Sequence, residues 1–291
     1  MYVAKNEGRN RFSYFTRSLQ EAAQARLKLI NDLRGALVGN QFKIFFQPIA
    51  DLPAGRIQKV EALIRWEHPT RGMVTPMEFI PLAEETGLII EIGNWVFKEC
   101  ARWAKRLAGQ CHGNIQVSVN VSPIQFRDDG NHIDAWLAYL NEIGLSGKNI
   151  VVEITEGLLL NADAAVIDKL LKFRDADIQV AIDDFGTGYS SLSYLKKFHI
   201  DYLKIDQSFI RNLETDPSDM ALSEAIIVMA HKLGLQVIAE GVETIGQQNL
   251  LIEAGCDFLQ GYLFGKPMPA EELEMMLLAQ TGDNNSPKLS I

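Results

Sequence analysis

Residues Ile178 to Leu192 read IQVAIDDFGTGYSSL. The first five, Ile178 to Ile182, are largely apolar and β-branched, the composition of a buried strand. The run then stops on two adjacent carboxylates, Asp183 and Asp184, followed by Gly186 and Gly188, which admit backbone angles closed to other residues. Neighbouring acids at the end of a buried strand repel each other and lose hydration, so they need a positive partner. A divalent cation suits them, because carboxylate oxygens bind Mg²⁺, Mn²⁺ or Ca²⁺ well. In isolation the stretch reads equally well as a solvated turn that caps the next helix, since Asp and Gly are ordinary turn residues.

On either side of this stretch, strand and helix patterns alternate. Phe42 to Ala50 reads as a strand, and the turn Asp51 to Gly55 sends Ile57 to Trp66 back antiparallel to it. Helical spacing covers 76–86 and 89–108, then 131–143, 162–175, 218–233, 244–254 and 270–278, with a short helix from Ser190. Between these lie strands at Ile115 to Val121, Ile150 to Thr155, 178–182, Tyr202 to Ile205, Gln236 to Ala239 and Asp257 to Leu259. Such alternation over about 250 residues predicts an α/β fold, a closed (β/α)8 TIM-like barrel with an antiparallel first strand. An open doubly wound sheet is the competitor. The lone Gly186-Thr187-Gly188 is too weak a signal for a dinucleotide site.

Bulk properties narrow the chemistry. The chain has 291 residues, 47% of them hydrophobic, enough for one barrel-sized core, and a formal net charge of −9. That balance argues against a DNA or RNA polymer as partner, because a phosphate-tracking surface would be basic. Three cysteines (Cys100, Cys111, Cys256) without CxxC spacing read as thiols of a reducing compartment. The five histidines form no HxH or HExxH pattern. No apolar run is long enough to span a bilayer and no signal peptide opens the chain, so this segment is expected to be cytoplasmic. Whether a full-length protein is membrane-attached stays open.

The strand ends carry the chemistry. Strand two holds Glu61 and then Arg65, strand three ends at Asn120, and strand four ends at Glu153 to Glu156. The fifth ends at Asp183-Asp184, the sixth carries Lys204 and Asp206, the seventh ends in Glu240 to Glu243, and the eighth at Gln260. In a barrel these ends meet on one face. Glu61, Asn120, Glu153 and Asp183 offer oxygens for one hard cation, and Asp184 and Glu240 offer more for a second, with Asp183 bridging. Two such ions about 4 Å apart activate water and stabilise a leaving oxygen in phosphoryl displacement. Lys204 can hold the attacking water or can simply neutralise the acids. Arg65 suits a phosphate oxygen, or a surface salt bridge.

The motifs Glu61-Ala62-Leu63 with Arg65-Trp66 (EALIRW), Asn120-Val121-Ser122, Glu153-Ile154-Thr155-Glu156, DDFGTGYSSL from Asp183, LKID from Leu203, AEGVE from Ala239 and QGYLFGKPM from Gln260 occur in that order, with Gln47-Pro48-Ile49 ahead of them. Over about residues 40–278 the chain resembles the EAL domain family of cyclic di-GMP phosphodiesterases. The resemblance implies hydrolysis of cyclic di-GMP to linear pGpG with two Mg²⁺ or Mn²⁺ ions, and inhibition by Ca²⁺. It implies Glu61, Asn120, Glu153 and Asp183 as ligands of one metal, and Asp183, Asp184 and Glu240 as ligands of the other. Lys204 matches the lysine that orients the water, and Glu243 and Gln260 match residues supporting the site. Gln47, Leu63, Arg65 and Pro267 fall where the family contacts the dinucleotide, with Gln260 beside them. Glu156 corresponds to the acid anchoring the loop after Asp184, to which Tyr189 and its following serines belong. No metal-binding or water-orienting position departs from the pattern, which favours an enzyme over the alternative of a silent cyclic di-GMP-binding module acting through a partner. A different metal-dependent barrel enzyme is a more distant option. The family also suggests a homodimer.

The flanks complete the expected organisation. Residues 1–16, MYVAKNEGRNRFSYFT, resemble the C-terminal end of a GGDEF (diguanylate cyclase) domain, implying such a domain upstream in a longer protein. The cyclase signature itself is absent, and an ordinary helix and hairpin is the other reading. Leu19, Ala22, Ala23, Leu27, Ile30, Leu33 and Leu37 lie at helical spacing, so 17–39 is expected to form a connector helix ended by Gly39-Asn40. Residues 279–291 are expected to be a flexible tail.

Overall fold

The computed structural model describes residues 17–110, 115–128, 130, 132–160, 162–188, 195 and 198–282. The expectations for 1–16, Cys111, Tyr189, the helix from Ser190 and 283–291 lie outside the described residues.

Helix α1 (Arg17–Ala36) stops short of the expected bound at 39, and a turn over 37–40 follows it, with Asn40 at a φ of 51°. Beyond it, a run rich in aromatic and β-branched residues builds β1 (Phe42–Asp51), and a tight turn with Gly55 in the left-handed region returns the chain as β2 (Arg56–His68). A short β3 (Gly72–Val74) follows, then α2 (Pro76–Thr86), α3 (Ile89–Gln110) and β4 (Gln116–Asn120). The chain continues through α4 (Pro123–Arg127), α5 (His132–Ile143), β5 (Ile150–Thr155), α6 (Glu156–Leu160), α7 (Ala164–Asp175), β6 (Gln179–Phe185), β7 (Tyr202–Ile205), α8 (Gln207–Ile210) and α9 (Pro217–Lys232). It closes with β8 (Gln236–Ala239), α10 (Ile245–Glu253), β9 (Phe258–Gln260), β10 (Met268–Pro269) and α11 (Ala270–Gly282).

Strands β2 and β4 to β9 run parallel around a barrel, and β1 closes it by pairing antiparallel with both β2 and β9. The predicted barrel and its antiparallel first strand are therefore present. Its interior is layered. Ile49, Val151, Ala181, Tyr202, Ile238 and Phe258 form an apolar plug in mid-barrel. Buried Lys59 lies on its N-terminal side, and Lys204 with the acids on the other.

Three details differ from the sequence-based expectations. First, β6 does not end before its acids: it runs on through Asp183, Asp184 and Phe185, with a register shift after Ile182 and a φ of 54° at Asp184. An irregularity of this kind re-aims side chains without ending the strand. Second, α11 continues to Gly282, and Gln280 Oε1 accepts from Ile57 N at 2.9 Å, so the tail does not begin at 279. Third, β3, β10, α4, α6 and α8 were not anticipated, because elements of two to five residues show no periodicity.

Candidate active site

Lys204 sits at the centre of the C-terminal rim, fully buried. Its Nζ lies 2.6 Å from Glu153 Oε2, 2.6 Å from Glu240 Oε1, 3.1 Å from Asp183 Oδ1 and 3.6 Å from Glu61 Oε2. Strands β2, β5, β6, β7 and the end of β8 thus bring together residues spread over 180 positions of sequence. Register explains the convergence: Asn120 is level with Glu153 across β4–β5, and Thr155 with Asp183 across β5–β6. Glu61 is held on both oxygens, by Asn120 Nδ2 at 2.6 Å on Oε1 and by Gln260 Nε2 at 2.6 Å on Oε2. The same Gln260 amide also donates to Gln47 Oε1 at 3.2 Å, and Gln47 Nε2 donates to Gly265 O.

The group is over-supplied with negative charge. Burial pushes the Glu153 carboxyl well above its ordinary value, against the pull of Lys204, and pushes Glu240 up to about 8. Asp184 is raised by burial and by its neighbours Asp183 and Asp206. For Lys204, burial alone would lower the ammonium pKa, but Asp183, Glu153, Glu240 and Glu61 outweigh it and hold it well above normal. With all five carboxyls ionised, one ammonium leaves a deficit of positive charge, and without further cations the raised carboxyls relieve it by holding protons. Two oxygens mark the place: among the described residues, Glu153 Oε1 and Asp183 Oδ1 are buried without hydrogen-bond partners, the latter in ion-pair contact with Lys204. One oxygen each from Asp183, Asp184 and Glu240 lies within 4.8 Å of the others. An all-oxygen, acid-rich set with orphaned buried acceptors fits a hard divalent cation.

The remaining predicted residues sit around this centre. Glu156 begins α6 and its Oε2 accepts from Gly186 N at 3.4 Å, which ties it to the loop after Asp184. Arg65 lies further along β2, with its guanidinium 5.6 Å from the Phe45 ring and Nη1 donating to Ile64 O. Burial lowers its pKa, with Glu61 opposing. Among the described residues it makes no ion pair. Leu63 lines a cavity of about 280 Å³ that opens onto Asn120, Glu153, Asp183 and Asp184. Pro267 is half-buried in the loop leading into β10, and Glu243 is exposed beyond β8, its N–H donating to Gln247 Oε1.

Glu84 and Gln125, which no motif singles out, line the same cavity beside Ser122 of the Asn120-Val121-Ser122 motif. Ser122 caps α4 in a reciprocal capping box with Gln125 and donates from Oγ to Glu84 Oε1 at 2.7 Å. The S-x-x-Q spacing after a strand was the available signal.

The EAL domain model matches residues 30–267. The chain belongs to the EAL domain family. Among curated relatives it is 43% identical over 274 residues to the bifunctional diguanylate cyclase/cyclic di-GMP phosphodiesterase MucR of Pseudomonas aeruginosa, covering 94% of this chain and 40% of the relative. It is 38% identical over 291 residues to the cyclic di-GMP phosphodiesterase NbdA of the same species, covering 100% and 37%. The EAL chain thus spans about two fifths of the curated relatives it matches. A solved structure described as the PaMucR phosphodiesterase in complex with c-di-GMP aligns with a TM-score of 0.80 and 41% identity, covering 84% of this chain and 99% of that one.

Proposed function

We propose that this EAL domain is a metal-dependent phosphodiesterase that opens one phosphodiester of cyclic di-GMP to give linear pGpG. The observation that carries the reading is the rim cluster itself: Glu61, Asn120, Glu153, Asp183, Asp184 and Glu240 surround Lys204, with buried oxygens still unsatisfied. Relatives described as cyclic di-GMP phosphodiesterases at 38–43% identity supply the substrate.

Glu61, Asn120, Glu153 and Asp183 would hold one cation, and Asp183, Asp184 and Glu240 the second. Bound there, the pair supplies an activated water and charge neutralisation at the phosphoryl oxygens. Lys204 aims its Nζ at the water, held in place by Glu153 and Glu240. Arg65 meets a phosphate oxygen through its fork of donors, while Gln47 and Gln260 keep Glu61 oriented and border the dinucleotide with Leu63 and Pro267. Glu243 supports Glu240 from the same loop. Glu156 steadies the segment carrying Asp184 through Gly186. Mg²⁺ or Mn²⁺ is the working ion, and Ca²⁺, which accepts looser geometry, inhibits.

Two features support a wider setting. Helix α9 exposes Ala221, Leu222, Ala225 and Val228 at helical spacing, an apolar face suited to a second copy of this chain. The MucR relative is described as bifunctional, in keeping with a GGDEF domain upstream. Among the described residues no helix is long and apolar enough to cross a membrane, and we place the domain in the cytoplasm.

The test is incubation of the purified chain with cyclic di-GMP and Mn²⁺, followed by chromatography. Conversion to pGpG is expected. Tight binding without product would make it a silent receptor, and no binding at all would remove the substrate assignment.

A further inference from the structure

The geometry points to Glu84 and Gln125 as the pair that reads one guanine of the substrate, an inference resting on the proposed function. The cavity beside the metal ligands is walled by Leu63, Ile64, Ile80 and Ile92. At about 280 Å³ it lies near the lower end of the range for small-molecule sites. Apolar walls of this kind seat the faces of a planar base rather than a phosphate. Away from the metal-ligand positions, the only ionisable side chain lining it among the described residues is Glu84, which would repel an anion.

Ser122 sets the two reading groups. Its Oγ donates to Glu84 Oε1 at 2.7 Å, which fixes the carboxylate and leaves the second oxygen without a hydrogen bond among the described residues. Its backbone N–H donates to Gln125 Oε1 at 3.1 Å, so the amide's donor end, Nε2, lies on the other side, against Gly93 in the cavity wall. Gln125 is 2% exposed, and Nε2 has no hydrogen-bond partner among the described residues. A buried amide donor left unpaired is costly, and a ligand acceptor would satisfy it. Gly93 makes room for that amide: a Cβ there would come within 2.0 Å of Nε2.

A carboxylate acceptor beside an amide donor is the complement of the guanine pairing edge. N1–H and N2–H would donate to Glu84, and O6 would accept from Gln125 Nε2. Adenine places an unprotonated N1 against the carboxylate and offers no acceptor at the O6 position, so it is disfavoured twice. A site built around hydrogen bonds rejects an analogue lacking them more sharply than a hydrophobic pocket can.

The test compares steady-state cleavage of cyclic di-GMP with that of its inosine analogue, which lacks N2–H, and of cyclic di-AMP, in Mn²⁺. Equilibrium binding in Ca²⁺ gives a readout independent of turnover. Wild type is expected to prefer cyclic di-GMP over the inosine analogue. Glu84→Gln should raise KM and Kd for cyclic di-GMP about tenfold or more, with a smaller change in kcat, and should shrink the preference over the inosine analogue. Gln125→Leu should weaken both substrates alike, since both keep O6. Ser122→Ala removes the hydroxyl that fixes Glu84 but keeps both the carboxylate and the backbone N–H on Gln125, so it should lower the melting temperature and shrink the preference over the inosine analogue less than Glu84→Gln does. The inference is overturned if wild type treats the two substrates equally, or if Glu84→Gln loses the same factor on both. If wild type neither binds nor cleaves cyclic di-GMP, the proposed function fails and the inference with it.

Discussion

Lys204 is the residue on which the site's electrostatics turn. A fully buried ammonium within 3.6 Å of four carboxylates is the internal counter-ion of a cage that still carries excess negative charge. Removing one member of a buried ion network typically costs about 3–5 kcal/mol, because the charges left behind have no partner. Lys204→Met is therefore expected to melt well below wild type in chelator, and excess Mn²⁺ should recover part of the difference by supplying positive charge. Equal melting in chelator would show that the acids manage without the lysine. The same variant should lose about a hundredfold or more in turnover, the usual scale for removing a group that handles a proton or a reacting water. Glu153→Gln probes the opposite charge. It should weaken Mn²⁺ binding measured by calorimetry, since the orphaned Oε1 would no longer belong to a carboxylate.

At the level of elements, the rim depends on how strands end. Strand β9 finishes at Gln260, the amide that holds Glu61, and the next residue has no room for a side chain. A Cβ on Gly261 would lie 2.0 Å from Val242 O and 2.3 Å from Val242 N, backbone atoms tied to Leu263 N and Gln260 O. Gly261→Ala should therefore cost about 1–3 kcal/mol of overpacking, and it should weaken metal binding as Gln260 shifts from Glu61. A denaturation curve and a Mn²⁺ titration on the same sample would check both, and an unchanged pair would refute the contact. Helix α1 is a second case. Leu29 and Leu33 are buried, His68 Nε2 lies 3.1 Å from Asp32 Oδ2, and Arg26 pairs with Glu85 on α2. Leu33→Ala should cost about 2–4 kcal/mol in a single transition with the barrel. A helix that merely tethers would show no such loss.

Across the whole molecule, the barrel puts one buried lysine on each side of its apolar plug, and they behave oppositely. Lys59 has neutral partners, Gln116 Oε1 and the Tyr202 hydroxyl at 2.7 Å, and burial lowers its pKa to about 8. The unfolded chain holds that proton more tightly, near 10.5, so the charged form weighs against folding at neutral pH, by about 3 kcal/mol. The penalty is complete below pH 8 and fades as pH rises from about 8 to 10.5. Tyr202, pushed up to about 12 by burial, keeps its proton across that window. Wild-type stability relative to Lys59→Met should therefore rise over that range, and the variant should be the more stable of the two at pH 7. A difference that stays flat with pH would refute the assignment. Much of this architecture was legible in the chain, because strands buried on one or both sides announce themselves as β-branched runs and their polar ends stand out against them. The acids at 61, 153, 183, 184 and 240 and the lysine at 204 could thus be named from sequence. The irregular end of β6, the capping box that brings Glu84 to Gln125, and the fit of Gly261 against Val242 could not. The sequence by itself determined which side chains carry charge and that they follow buried strands, since composition and periodicity are local properties. Only the tertiary structure decided which of them share a cavity, which oxygens remain unpaired and what each proton costs, because those depend on distances set by barrel closure between residues far apart in the chain.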